Sequence, residues 1–326
     1  MKVNETEKQI LKGLRDYGDY LSGETLSKQL GVSRVSIWKH IHSLKENGYV
    51  IDSSARGYML ISSPDSMLPY EFPGLEERIH YFQEIDSTMD AARELARKGA
   101  EEGTIVIAEV QTHGRGRLRR EWLSPEGGIY LTVILRPRIS PVYASRMNLM
   151  ASVSVATTIR NVLGLNAELK WPNDVLIKGR KVCGILAEMN AEMDAVNFIN
   201  VGIGINVNTP IPQFEDTATS LKNALGRKTS RKELLTVLLG EIEQWQPRLM
   251  KDDLLEEWRK LSATLNRGVR IVAPGDAIVG RAINIDTTGA LIVKQNNGSL
   301  RKAMAGDCIH LREETSETDA GAAILQ

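Results

Sequence analysis

The chain has 326 residues, room for about two domains, and 42% of them are hydrophobic, enough to fill sizeable cores. Its 41 Lys+Arg balance 41 Asp+Glu, which excludes a wholly polybasic nucleic-acid binder but leaves local basic patches open. The two cysteines, Cys183 and Cys308, lie far apart with no close Cys/His cluster, so neither a zinc site nor a disulfide framework is expected. No apolar run reaches membrane-spanning length and the N-terminal stretch has no signal-peptide core, so the expectation is a cytoplasmic protein that avoids the membrane.

Residues 1–62 read as three helices and a two-stranded wing. Ile10, Leu11 and Leu14 share a helical face, Ser22 caps a short helix over 24–30, and Gly31-Val32-Ser33 turns the chain. Ser33 then caps a longer helix with Ile37, Ile41 and Leu44 on one side. This is the order of a winged helix-turn-helix, whose second helix enters the DNA major groove. Ser33, Arg34, Ser36, Lys39 and His40 on that helix, with Arg56 on the wing, are the predicted DNA contacts. The competing reading is a helical unit for protein contacts, since residues 1–62 hold nine Lys/Arg against seven Asp/Glu.

Residues 63–78 carry three prolines and little periodicity and read as a linker. Residues 79–266 then predict an α+β region. Helices are expected at 87–98, near 143–163, at 231–249 and at 254–265, and strands at 104–110, 129–135, 181–188 and 197–205. The tight link Lys178-Gly179-Arg180 favours a mixed or mainly antiparallel sheet over repeated βαβ units. Over 267–312, short strands separated by Gly275-Asp276, Thr288-Gly289 and Asn297-Gly298 predict a small β-barrel. Residues 313–326 form a polar tail expected to be disordered.

Two segments carry chemistry. The loop at 111–121, QTHGRGRLRRE, holds four arginines and one acid interrupted by Gly114 and Gly116. Glycines let backbone approach a ligand closely, and arginines neutralise phosphate or carboxylate oxygens. An exposed basic loop that touches nothing is the bland alternative. The second segment is Lys170-Trp171-Pro172-Asn173-Asp174 followed by Lys178–Leu186, where a hairpin brings Asp174 near Lys181 and Gly184 leaves space against a strand. An ordinary surface ion pair would look the same and be worth little. No Walker A motif occurs, and Gly202-Ile203-Gly204 lacks the third glycine of a dinucleotide fingerprint. Cys183 reads as a packed apolar residue.

Together these residues resemble the biotin–protein ligases of the bifunctional bacterial kind that also repress the biotin operon. The resemblance rests on Asp86-Ser87-Thr88, Gln111, Gly114-Arg115-Gly116-Arg117, Trp122, the Lys170–Asp174 run, Arg180-Lys181, Gly184-Ile185-Leu186 and Gly202–Asn206, in order over about 80–210. The winged-helix start and the barrel end, of the SH3-like kind, match that family's three-domain layout. The resemblance implies that biotin and ATP, with Mg²⁺, are joined to biotinyl-5′-AMP. The biotin then passes to a lysine of a biotin carboxyl carrier protein. It also implies a homodimer that binds operator DNA when it holds the adenylate.

By the same resemblance, Lys181, Arg115, Arg117 and Asp174 are the catalytic candidates. Ser87, Thr88, Gln111, Arg115, Gly116, Arg117, Lys181 and Gly184 would meet biotin. Arg117, Arg120, Trp122, Lys170, Asn173 and Asn206 would meet ATP, with Asn173 near the metal. Two positions depart from the family pattern: Arg119 stands where GRGRxGR has its last glycine, and Met89 where Asn often follows Ser-Thr. A ligand-sensing regulator without ligase activity and a lipoate–protein ligase are the alternatives.

Overall fold

The computed structural model describes residues 4–192, 195–211, 217–273 and 275–311. The predicted tail over 313–326 lies outside them. Contacts divide the chain into two units, one running to Tyr81 and including Ser230–Lys232, the other holding the rest.

The first unit begins with α1 (Glu5–Tyr17), α2 (Gly23–Leu30) and α3 (Arg34–Glu46), then β1 (Val50–Ser54) and β2 (Gly57–Ser62), an antiparallel pair. Each helix start follows from its sequence. Asn4 and Glu7 form a reciprocal capping box on α1, and Ser22 and Ser33 cap α2 and α3 through Thr25 N and Ser36 N. Gly18 and Gly31 end α1 and α2 in the left-handed region that glycine enters at little cost. Ile10, Leu11, Leu14, Leu26, Ile37, Ile41 and Leu44 form the core these helices share.

The segment 63–78, which reads as a linker, holds two 3₁₀ turns and buries Met67, Glu71 and Phe72. Buried Glu71 accepts from Arg15 Nη2 at 2.7 Å and also from Tyr49 Oη and Lys232 Nζ. A buried carboxylate is tolerable here because cations and a hydroxyl converge on it. Proline content alone hides such packing.

The second unit is built on a seven-stranded sheet in the order β3-β4-β5-β9-β8-β7-β6. Along the chain these are β3 (Ile79–Ile85), α4 (Thr88–Arg97), β4 (Ile105–Gln111), β5 (Ile129–Leu135), α5 (Arg146–Leu163), β6 (Ala167–Lys170), β7 (Asp174–Ile177), β8 (Arg180–Glu192) and β9 (Ala195–Ile205). From β4 to β6 every adjacent pair is antiparallel. Central β5 is buried at every residue, and α5 packs on the sheet with most of its surface covered. Then follow α6 (Leu221–Leu225), α7 (Arg231–Trp245) and α8 (Asp252–Leu261). The helix expected to run to 249 stops at Trp245, where Pro247 sits in a 3₁₀ turn over Gln246–Arg248.

Strands β10 (Gly268–Ala273), β11 (Asp276–Ile285), β12 (Leu291–Lys294), β13 (Leu300–Ala303) and β14 (Asp307–His310) form a five-stranded antiparallel sheet in the order β13-β12-β11-β10-β14. It shares the second unit with the larger sheet. Buried Arg146 of α5 donates to Thr287 O and Leu249 O, and Trp171 Nε1 donates to Gly289 O. These bonds satisfy turn carbonyls that would otherwise lose water, and so fix the small sheet against the large one.

Candidate active site and nucleic-acid interface

The basic loop is an ordered hairpin. Trp122 N donates to Gly114 O and Gly116 N to Arg120 O, both at 2.8 Å, and Gln111 N to Ser124 O at 3.2 Å. Gly114 is obligatory: a Cβ there would stand 2.3 Å from Trp122 O. At the tip Leu118 and Arg119 have φ of 55° and 60°. Arg119 occupies the position where the resembling pattern has glycine, and its left-handed backbone is the physical reason for that glycine. Each such residue carries strain of about 1 kcal/mol.

This hairpin overhangs a cleft of about 150 Å³ above β8 and β9. Thr88, Gln111, Arg115, Gly116, Arg117 and Arg120 line it, as do Trp122, Asn173, Asp174, Lys181 and Gly184. Eleven of the fourteen predicted ligand-site positions thus meet in one place. Ser87, Lys170 and Asn206 are not among its lining residues.

At one end, Thr88 N and Oγ1 donate to Gln111 Oε1 at 2.9 and 3.0 Å, and Gln111 Nε2 donates to Ser124 Oγ at 2.8 Å. Beside them the Ser87 hydroxyl is buried with no hydrogen-bond partner among the described residues, which is costly unless a ligand supplies one. At the other end Lys181 Nζ lies 2.6 Å from Asp174 Oδ1 and 5.2 Å from the Trp122 ring. The β7–β8 hairpin sets this pair, as the sequence spacing predicts. Arg117 donates to Asn173 Oδ1 at 3.0 Å and Gly306 O at 3.3 Å, and burial lowers its pKa against the pull of Asp307 and Asp174. Arg120 pairs with Asp307. Asn206 is buried and donates to Thr219 O.

The floor explains residues that the sequence reading left without a role. Met89, Gly202 and Gly204 also line the cleft. A Cβ on Gly202 would lie 2.6 Å from Met89 Sδ, and one on Gly204 2.5 Å from Trp122 Nε1. A Cβ on Gly184 would meet Trp122 at 2.9 Å. Three glycines on adjacent strands therefore make room for two large side chains. Their alternation with Ile203 was the available signal, since small residues on one strand face mark close approach. Asp307, from the terminal sheet, had no local signal.

Cys183 is buried, and burial raises its thiol pKa far above the usual range; Cys308 is pushed up to about 12 by burial. Neither is poised as a nucleophile.

In the first unit, Arg34, Lys45 and wing residue Arg56 line a groove with Trp38, Ser53 and Ser54. Trp38 is 58% and Val35 64% exposed, and Trp38 stacks on His42 at 5.7 Å. Arg56 lies over the Tyr20 ring at 4.0 Å. Ser33 caps α3 and Lys39 is exposed. His40 does not join this groove; its Nδ1 lies 3.4 Å from Glu7 Oε1 of α1. Ser36 and Lys39 are likewise not among the groove-lining residues. Val35, Trp38, His42 and Lys45 are the exposed positions that the sequence reading missed.

The chain matches the biotin/lipoate A/B protein ligase family over residues 81–206, an HTH domain over 6–59 and the biotin protein ligase C terminal domain over 264–311. It is 36% identical to the bifunctional ligase/repressor BirA of Bacillus subtilis over 304 residues, covering 89% of this chain and 93% of that one. Identity to the BirA of Escherichia coli is 30%, covering 94% of this chain and 98% of that one. A biotin protein ligase from Aquifex aeolicus, solved with biotin and ATP, superposes with a TM-score of 0.61 at 28% identity, covering 72% of this chain and 99% of that one. Family models account in turn for the reader, the cleft and the terminal sheet, and the relatives span all three, so the chain belongs to the biotin/lipoate A/B protein ligases, in the line of the bifunctional ligase/repressors.

Proposed function

We propose that the cleft joins biotin to AMP, holds biotinyl-5′-AMP, and passes biotin to a lysine of a carboxyl carrier protein. The observation that carries this reading is the convergence of Arg117 and Lys181 on one end of a cleft whose other end offers the Thr88–Gln111 pair, next in the chain to the buried Ser87 hydroxyl. A biotin carboxylate attacking the α-phosphate builds negative charge there, and cations held in place stabilise it. Pyrophosphate leaves in that step. The amine of the carrier lysine then attacks the anhydride carbonyl, and AMP leaves. Asp174, paired with Lys181, orients the incoming amine or accepts its proton. The hairpin over the cleft keeps water from the anhydride.

Ser87, Thr88, Gln111 and the backbone of Arg115 and Gly116 would hold biotin, with Gly184 beneath. Trp122, Arg120 and Asn173 would hold the nucleotide, and Lys170 and Asn206 would support that end from outside the cleft lining. Asn173 does not fit as a direct Mg²⁺ ligand: its oxygen accepts from Arg117, and its amide donates to Ile185 O. No cluster of three metal-ligating side chains occurs among the described residues. Mg²⁺ enters this proposal only as the ion that accompanies ATP.

In the same reading α3 and the wing bind operator DNA, and the adenylate favours the homodimer that reaches both half-sites. Such chemistry belongs in the cytoplasm; among the described residues no helix is long and apolar enough to cross a membrane. The test is pyrophosphate release from Mg-ATP with biotin, with lipoate as control and Lys181→Ala as blank. Release that requires biotin and Lys181 supports the reading. Biotin binding without release favours a regulator without ligase activity. Release with lipoate alone reassigns the substrate.

A further inference from the structure

The two arginines of the Gly114–Arg117 run are held in opposite ways. Arg117 donates to neutral acceptors, an amide oxygen and a carbonyl. Arg115 is clamped by acids: Nη2 donates to Glu188 Oε1 at 2.5 Å, and Nη1 to Asp90 Oδ1 at 2.9 Å and Glu188 Oε2 at 3.3 Å. Arg93 closes the ring, lying 2.7 Å from Glu188 and 2.9 Å from Asp90. Two cations and two carboxylates cancel, so the charge of Arg115 is already balanced before any ligand arrives. To neutralise a phosphate, its guanidinium would have to leave several charge-assisted hydrogen bonds, which are among the stronger kind. Among the described residues Lys181 pairs with one acid, Asp174, and Arg117 touches none of these carboxylates.

The anchors sit on α4 and β8, rigid elements beside the cleft. Arg115 itself sits in the hairpin strand that carries Gly116 over the ligand space. A side chain tied at that point fixes the backbone it hangs from.

We propose that Arg115 is a positioning residue rather than a phosphate ligand. Glu188 and Asp90 hold it as a latch that keeps the basic hairpin closed over the acyl-adenylate, while Arg117 and Lys181 supply the cations. The proposal rests on the ligase reading above and separates two jobs that four clustered arginines obscure.

The experiment uses the full chain and two half-neutralised latches, Glu188→Gln and Asp90→Asn, with Arg115→Lys as the conservative variant. Single-turnover formation of biotinyl-5′-AMP is measured first, then escape of preformed biotinyl-5′-AMP into excess unlabelled adenylate. Loss of one charged partner should speed escape in Glu188→Gln by about tenfold, the equivalent of one such hydrogen bond. The formation rate should change by less than about twofold. Arg115→Lys, which keeps one ion pair, should fall between wild type and Glu188→Gln. Unchanged or slower escape, or formation falling in step with the loss of Glu188, would overturn the latch and return Arg115 to the chemistry. If wild type makes no adenylate from biotin, the ligase reading has failed instead, and that is read from wild type alone.

Discussion

The hairpin over the cleft and the recognition helix α3 are both basic, yet they hold their cations differently. In the hairpin, Arg115 is tied to Glu188 and Asp90, Arg117 to Asn173, and Arg120 to Asp307. On α3, Arg34 and Lys39 are exposed. The difference follows from the ligands each would meet. A reacting phosphate must be met to within fractions of an ångström, so its cations need their own supports. A DNA backbone is a long row of charges, where loosely held cations act through counterion release and can shift register. A basic cluster in sequence therefore says little until its acids are located.

The largest expected effect lies in the cleft. Lys181→Ala should lower single-turnover adenylate formation by about 10²- to 10³-fold, the usual cost of removing one held charge-stabilising donor. A loss under tenfold would move the catalytic charge to Arg117 and narrow the difference between the cleft and α3.

Next comes the floor. Gly204→Ala drives a methyl into Trp122 Nε1, and such overpacking costs about 1–3 kcal/mol. Biotin affinity measured by calorimetry should drop accordingly, and Trp122→Phe, which removes the indole nitrogen, should recover part of it. No recovery would mean that the strain lies elsewhere.

On the DNA side, Lys45→Ala should lower affinity for any duplex and reduce the slope of log K against log salt by about one. Arg34→Ala, at the start of α3 in the same groove, should instead change the ratio between sequences. If both act alike, the groove between α3 and the wing does not sort backbone from base contacts.

The smallest effect concerns His310, whose Nε2 lies 3.0 Å from Thr264 Oγ1. Burial, aided by Lys170 and Arg267, lowers its pKa from 6.5 to about 4. The unfolded chain therefore binds the proton first as pH falls. Stability is full above 6.5 and declines between 6.5 and about 4. Thermal melts of wild type and His310→Gln should converge toward the acid end of that window; parallel curves would remove His310 from the pH response.

Much of this was legible in the sequence because the signals are local. Capping serines at 22 and 33, glycines at 18 and 31, and apolar residues three and four apart dictate the winged helix through backbone hydrogen bonding over a few residues. The Asp174–Lys181 pair followed from a tight hairpin, whose register leaves few alternatives. His40 misled because its side of α3 is covered by α1, and only helix packing decides that.

What tertiary structure decided was which charges neutralise one another. Glu188 is 73 residues from Arg115 and Asp307 is 187 residues from Arg120, so no window of sequence could pair these acids with the hairpin arginines. Sheet order brings β8 beside α4, and the terminal sheet brings Asp307 to the hairpin. Sequence alone determined the kinds of residue, the elements they form and the family. Folding determined which arginine is left to meet a phosphate, because an electrostatic role depends on distance in space.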